Sequence, residues 1–241
     1  MKMKMKSVIA IALMAAAATA GAGRHALPNA AHGRAVVLFD GTAASVAANW
    51  CALNGKPSKW RVVNGELEAT RGAGDIATKA KFRDVQLHIE WRTPVDSSRY
   101  GVMNQGNSGV FFLDRFYEVQ VFESFGTNPA NMTNKFYADG QAGAIYGQNP
   151  PLVNPVRPAG EWQTYDIVFR APRFEHGKCV KPGLVTVFLN GVLVQDGWQL
   201  EGPTLHCTRT SQKQPPERGV LRLQEHGCPV RYRNIWIREL R

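Results

Sequence analysis

Val85-Gln86-Leu87-His88-Ile89-Glu90-Trp91-Arg92 alternates apolar and polar residues without a break. Successive side chains of a strand point to opposite faces, so Val85, Leu87, Ile89 and Trp91 line one face and Gln86, His88, Glu90 and Arg92 the other. That is the pattern of a half-buried strand in an antiparallel sheet. It recurs at residues 117–122, where Glu118 and Gln120 share a face, and at residues 165–170, which stop at Ala171-Pro172. Residues 185–189 and 192–195 flank Asn190-Gly191, the preferred two-residue hairpin turn. A second Asn-Gly, Asn64-Gly65, lies between short apolar runs in residues 60–70. Residues 221–224 and 233–239 read as further strands. No segment after residue 20 predicts an amphipathic helix, and only residues 128–139 leave room for a short one. Many short strands with Gly/Pro punctuation predict an all-β chain, a sandwich or jelly roll of two antiparallel sheets.

The composition agrees. Of 241 residues, 44% are hydrophobic and 20% charged, with 23 Gly and 14 Pro, enough apolar content for one large core and too little charge for a disordered chain. Three lysines, Lys2, Lys4 and Lys6, precede a small apolar run at residues 7–20 that ends in Ala18-Thr19-Ala20. A basic start, a short apolar stretch and an A-x-A site read as a secretory signal peptide over residues 1–20. The run is about 14 residues, short of the roughly 20 that span a bilayer. Residues 21–33 read as a tail and residues 34–241 as one domain, periplasmic or secreted, with no membrane attachment after cleavage. Loss of the three lysines lowers the formal net charge from +10 to +7. The remaining basic residues are scattered, which argues against a nucleic-acid partner.

Cys51, Cys179, Cys207 and Cys228 include no C-x-x-C pair and match no zinc spacing. An even number in an exported chain favours disulfides. Four cysteines allow three connectivities; projecting the Asn190-Gly191 hairpin back to its open end brings Cys179 and Cys207 near each other and favours that pair, leaving Cys51 and Cys228 either as a second disulfide or as two free thiols.

Several motifs occur in order along the chain: Leu38-Phe39-Asp40-Gly41, then Trp60-Arg61-Val62-Val63-Asn64-Gly65-Glu66-Leu67, Gly106-Asn107-Ser108-Gly109-Val110-Phe111-Phe112, Tyr117-Glu118-Val119-Gln120-Val121, Gly143-Ala144-Ile145-Tyr146-Gly147, Gly160-Glu161-Trp162-Gln163-Thr164-Tyr165, and Leu223-Gln224-Glu225-His226-Gly227. Together they resemble the 3-keto-disaccharide hydrolase domain family, over nearly the whole of residues 34–241. The resemblance implies a concanavalin-like β-jelly roll with a carbohydrate-facing concave sheet. It also implies action on glycosides already oxidised to a ketone at C3. Glu225 stands where that family most often has Asp, and the cysteines lie outside its pattern.

On this footing the catalytic candidates are Glu118 and His226. Glu118, partly desolvated among Tyr117 and Phe122, has the environment of a general base with a raised pKa; the plainer reading is an ion pair with Arg92 or Arg115. His226, at a strand end before Gly227, could transfer a proton near neutral pH. The substrate-binding candidates are Glu90, Arg92, Asn107, Ser108, Gln120, Tyr146, Gln224 and Glu225. For the face bearing Gln86, His88, Glu90 and Arg92 the alternative is an ordinary solvated surface, with Glu90 and Arg92 pairing to each other. Asn107-Ser108 equally reads as a tight turn, and Tyr146 as a core tyrosine.

A ketone at C3 acidifies the C2 proton, so a base can remove it and the group at C1 can leave by elimination; water can then add. The enolate oxygen needs a donor, with Arg92 and Gln120 as candidates. No cofactor is required, and no nucleotide-binding glycine fingerprint is present. A divalent metal held by His88, Glu118 or His226 stays open, since no spacing demonstrates it. The partner is a 3-keto-glycoside, which a separate sugar 3-oxidase must supply. The rival reading is a non-catalytic lectin-like module. An ordinary hydrolase using Glu118 and Glu123 is disfavoured, because their odd spacing puts them on opposite faces of a strand.

Overall fold

The computed structural model describes residues 34–101, 104–126 and 137–241. The signal reading of residues 1–20, the tail of residues 21–33 and most of the 128–139 stretch fall outside these. Among the described residues no helix is long and apolar enough to cross a membrane.

Among the described residues, fifteen strands and one short α-helix follow one another, with single 3-10 turns at Ser98–Tyr100 and Ala138–Gly140. The strands are β1 (Ala35–Phe39), β2 (Trp50–Ala52), β3 (Arg61–Val63), β4 (Glu66–Glu68), β5 (Ile76–Phe82), β6 (Val85–Arg92), β7 (Ser108–Phe112), β8 (Tyr117–Val121), β9 (Gln163–Arg170), β10 (Arg173–Glu175), β11 (Lys178–Lys181), β12 (Leu184–Leu189), β13 (Val192–Gln199), β14 (Gly219–Leu223) and β15 (Arg231–Glu239). The fold is an all-β sandwich of an eight-stranded sheet, ordered β13-β12-β9-β6-β15-β4-β3 with β1 beside β15, and a five-stranded sheet, ordered β2-β5-β14-β7-β8. Among the described residues the strands of both sheets pair antiparallel.

Both Asn-Gly turns are type I′, with positive φ at both residues: Asn64 (55°) and Gly65 (78°), Asn190 (54°) and Gly191 (79°). The alternation of β6 is realised in full, with Val85, Leu87, Ile89 and Trp91 buried in the core. The helix α1 (Ala43–Asn49) is unexpected. Its seven residues are too few to display a period, and it is started by Thr42, whose Oγ1 accepts from Ser45 N at 3.1 Å.

The core is built on stacked aromatics across the two sheets. Phe112 of β7 lies on Phe169 of β9 with ring centroids 4.5 Å apart. Two buried hydroxyls also tie sheet to sheet. Tyr165 of β9 donates to Gln120 O of β8 at 2.6 Å, and Tyr232 of β15 meets Ser108 Oγ of β7 at 2.6 Å. Both land on the strands that carry the candidate site. A buried hydrogen bond between layers is directional where apolar packing is not, so these fix the position of β7 and β8.

All four cysteines are free, which corrects the expected Cys179–Cys207 disulfide. The hairpin does not continue to the residues concerned. Residues 173–181 fold away as a separate ribbon, β10–β11, that carries Cys179 opposite Phe174. Residues 200–208 instead run to the edge of β8, where Cys207 Sγ lies 3.4 Å from Nε2 of its neighbour His206.

Candidate active site

The outward face of the five-stranded sheet gathers the polar side chains of β8 and β14. One cross-strand row is Arg222, Phe111 and Glu118. The next holds Gly109 and Gln120, with Gln224 bonded to Gly109 O through its N–H at 3.1 Å. Period-2 geometry puts Glu118 and Gln120 side by side, and the absence of a side chain at Gly109 makes the space they use. A Cβ at Gly109 would sit 2.2 Å from Glu118 Oε1.

Glu118 is 5% exposed although it faces out of the sandwich. Burial pushes its pKa up to about 8; the Arg115 and Arg222 charges oppose this and the Asp75 carboxylate adds to it. Arg222 is held away from full pairing with Glu118 because its Nε donates to Asp75 Oδ2 at 2.6 Å and its guanidinium lies 5.6 Å from the centre of the Phe111 ring. The hydrogen-bonding surroundings of the Gln120 amide orient its nitrogen toward Glu118 Oε1 and Ser108 O, each at 3.0 Å.

β8 is an edge strand, and two loop segments close over it. Gln120 N donates to Ala144 O, Gly143 N to Gln120 O and Tyr146 N to Glu118 O, while Glu118 N donates to Thr204 Oγ1 at 3.0 Å. The loops are locked to each other through Gln148, whose Nε2 donates to Gly202 O at 2.6 Å. They bring three rings together. Tyr137 donates to Tyr146 OH at 2.6 Å, and His206 Nδ1 lies 2.9 Å from Tyr146 OH and 3.0 Å from Tyr137 OH. Burial raises the pKa of Tyr146; the Tyr137 hydrogen bond opposes this and the Glu118 charge reinforces it. Tyr146 is therefore a proton-bearing hydroxyl within the field of a buried carboxyl.

The remaining candidates are distributed differently. Ser108 is fully buried on the core side, donating to Gln224 O at 2.6 Å. Asn107 is in the turn that precedes it, its N–H 3.4 Å from Asn104 O. Glu225 clamps its own loop: Oε2 accepts from Gly72 N at 3.1 Å, Oε1 from Gly227 N at 2.6 Å, and its N–H donates to Asp75 Oδ1 at 2.9 Å. Its neighbour His226 is exposed.

Glu90 and Arg92 lie on the outward face of the other, eight-stranded sheet, so they do not join Glu118. Nor do they pair with each other. Glu90 Oε2 accepts from Arg233 Nε at 2.5 Å, and Arg92 Nη2 donates to Glu66 Oε2 at 2.6 Å. Glu90 takes its direct cross-strand neighbour, whereas Arg92 reaches Glu66 across the intervening strand β15. Arg92 is accordingly neither an ion-pair partner of Glu118 nor a donor to an enolate formed there. On the same face His88 Nδ1 bonds Asp166 Oδ1 at 2.8 Å. Burial opposes the charged ring, but Asp166 and Glu90 outweigh it and raise His88 to about 9. Glu90 is also disfavoured as a carboxylate by burial, yet His88, Asn234 and Arg233 hold it down to about 2. The metal set His88, Glu118 and His226 is divided between two sheets. Among the described residues no three His, Cys, Asp or Glu come together in a way that could hold a metal ion.

Asp75, Tyr137, Thr204, His206 and Arg222 complete the site and were not singled out in the sequence. They come from four separate segments, and only Arg222 carried a signal, as the polar member of an alternating strand.

A family model described as the 3-keto-alpha-glucoside-1,2-lyase-like domain matches residues 34–238. The chain is 25% identical over 222 residues to a 3-keto-disaccharide hydrolase of Bacteroides thetaiotaomicron, covering 76% of this chain and 71% of that protein. A crystal structure from Parabacteroides distasonis, provisionally named a glycosyl hydrolase, is 38% identical with a TM-score of 0.74, covering 86% of this chain and 84% of the other. A second from the same organism, 21% identical with a TM-score of 0.58 and covering 86% and 94%, shares the fold. Fold, motif order and sequence match agree, and the chain belongs to the 3-keto-alpha-glucoside-1,2-lyase-like domain family.

Proposed function

We propose that this protein cleaves 3-keto-glycosides by elimination. The observation that carries the reading is Glu118: a carboxyl group buried on an outward sheet face, raised to about 8, beside the Gln120 amide, with its charge felt by the Tyr146 hydroxyl. Such a group removes a proton from carbon more readily than an exposed carboxylate, because its conjugate acid is weaker. Glu118 takes the C2 proton, the electron pair moves toward the C3 carbonyl as an enolate, and the enolate expels the C1 oxygen of the aglycone. The products are an alcohol and an unsaturated 3-keto sugar. Addition of water across its double bond gives the free 3-keto sugar, so elimination plus hydration equals hydrolysis. Tyr146 is the donor for the enolate oxygen, replacing Arg92 in that role, while both N–H hydrogens of Gln120 are committed to Glu118 and Ser108. The Tyr137–Tyr146–His206 cluster supplies a proton to the leaving oxygen. The names of the Bacteroides and Parabacteroides relatives support a glycoside substrate. The substrate requires a prior oxidation of a hydroxyl at C3, carried out by a separate oxidoreductase, and the basic and apolar N-terminal sequence ending in Ala18-Thr19-Ala20 supports a reaction outside the cytoplasm.

The test is aglycone release from a 3-keto-glucoside and from its unoxidised parent. Release from the keto compound alone, lost in Glu118→Gln, is the expected result. Binding of both without release makes the protein a lectin-like module, and equal release from both makes it an ordinary glycosidase. His226→Ala is expected to retain activity, whereas a loss matching that of Glu118→Gln returns His226 to the catalytic step.

A further inference from the structure

A second cleft of about 430 Å³ lies beyond the end of β6, lined by Arg61, Glu68, Arg92, Arg99 and Arg231 and rimmed by Pro94, Val95 and Pro229. Its size is that of a small-molecule site. It belongs to the eight-stranded sheet and is apart from Glu118. Its wall is fixed: Gly160 N donates to Thr93 O at 3.1 Å, and a Cβ on Gly160 would come within 2.6 Å of Val95 Cγ2.

The charge in this cleft does not balance. Arg61 pairs with Glu68, Arg92 with Glu66, and Arg231 bridges Glu66 (2.9 Å) and Glu68 (2.7 Å). Three guanidinium groups thus share two carboxylates, a net charge of +1, and Arg92 also lies over the Trp162 ring, 5.0 Å from its centre. Arg92 Nε is buried and has no acceptor among the described residues. Arg99 adds a further charge at the rim, where its Nη2 donates to Tyr100 OH at 2.8 Å. Asp96 lies near Arg99 but does not line the cleft, and its Oδ1 accepts from Ser98 Oγ at 2.8 Å.

We infer that this cleft binds a carboxylate-bearing saccharide, with the acid group on the arginine forks and the C–H faces of the sugar against Pro94, Val95 and Pro229. Guanidinium matches a carboxylate in two parallel hydrogen bonds, and partial neutralisation by Glu66 and Glu68 limits the site to one or two negative charges. The site holds a glycan to the protein while the five-stranded sheet carries the chemistry, and it does not depend on what reaction that is.

Calorimetric titration of the purified full-length domain with digalacturonate, maltose and sodium acetate tests it. Digalacturonate is expected to bind and to weaken with added salt, while maltose and acetate do not bind. Arg61→Ala and Arg99→Ala, both outside the candidate active site, should weaken binding at least about tenfold with unchanged melting and unchanged aglycone release. Arg61→Lys, which keeps the charge and loses the fork, should fall between. The inference is overturned if digalacturonate fails to bind at about 10 mM, if maltose binds as well, if acetate competes at equal affinity, or if both alanine variants bind as the parent does.

Discussion

Glu118 can act as a base only after losing the proton that burial makes it keep. With its pKa at about 8, kcat/KM should rise about tenfold per pH unit in the neutral range and level off above about pH 8. Glu118→Gln should lower turnover by about 10²–10⁴-fold while keeping the fold, since an amide fills the same volume. Gly109→Ala tests the geometry separately. Its Cβ would stand 2.2 Å from Glu118 Oε1 and 2.9 Å from its Cδ, so the carboxyl must move, and activity should fall far more than stability. The same residues set stability against pH. Glu118 and His88 both have folded values above their ordinary ones, from 4.5 to about 8 and from 6.5 to about 9. Each contribution is complete below the lower value and is lost as pH rises through the upper one. Glu90, lowered from 4.5 to about 2, works the other way and is lost as pH falls through about 2. Urea melts should therefore show stability falling from mildly acidic to alkaline pH. His88→Gln should remove the part of that fall between about 6.5 and 9, and a profile that stays unchanged would refute the assignment.

Among the elements, strands with one face in the core were legible because their period is printed in the residues: β6, β8, β9, β12 and β15. Ser108–Phe112 was not, because burial on both faces erases the alternation, and Ile76–Phe82 was not, because its first residues are buried in succession and residues 79–81 are exposed in succession. Period 2 also told which residues share a face without telling which sheet the face belongs to. This is why Glu90 and Arg92 seemed companions of Glu118, and why Ser108, next to outward-facing Gly109, was read as a ligand contact when it points inward. The loop residues Tyr137, Thr204 and His206 had no pattern to show, since their positions depend on contacts with the edge of β8. Gly147 is the tightest of those contacts. A Cβ there would lie 2.0 Å from Leu205 O, at a φ of 68°. Gly147→Ala should cost about 1–3 kcal/mol and speed proteolysis within residues 200–208, measured by thermal melting and limited digestion.

For the whole molecule, the sandwich separates two kinds of polar face. One is a lattice of ion pairs across five strands of the eight-stranded sheet; the other is a nearly dry carboxyl under loops. Jelly-roll architecture and family were readable because motif order survives where individual side chains vary. The thiol state was not readable, because a hairpin projection assumes strands that run straight on, and here they diverge into a separate ribbon. Thiol titration of unfolded protein without reductant should count four. In the native state Cys207, exposed beside His206, should react first and Cys228, buried and pushed up to about 11, last. A count of two in the unfolded protein would restore a disulfide.

The segment that carries Tyr146 to Glu118 also occupies the outer hydrogen bonds of β8. Without it, an apolar edge strand would offer open N–H and C=O groups to any other extended chain. The proposed chemistry and the protection of this edge thus rest on one piece of backbone. A lesion in residues 141–147 should first appear as insoluble protein in the expressing cell, before any kinetic defect can be measured.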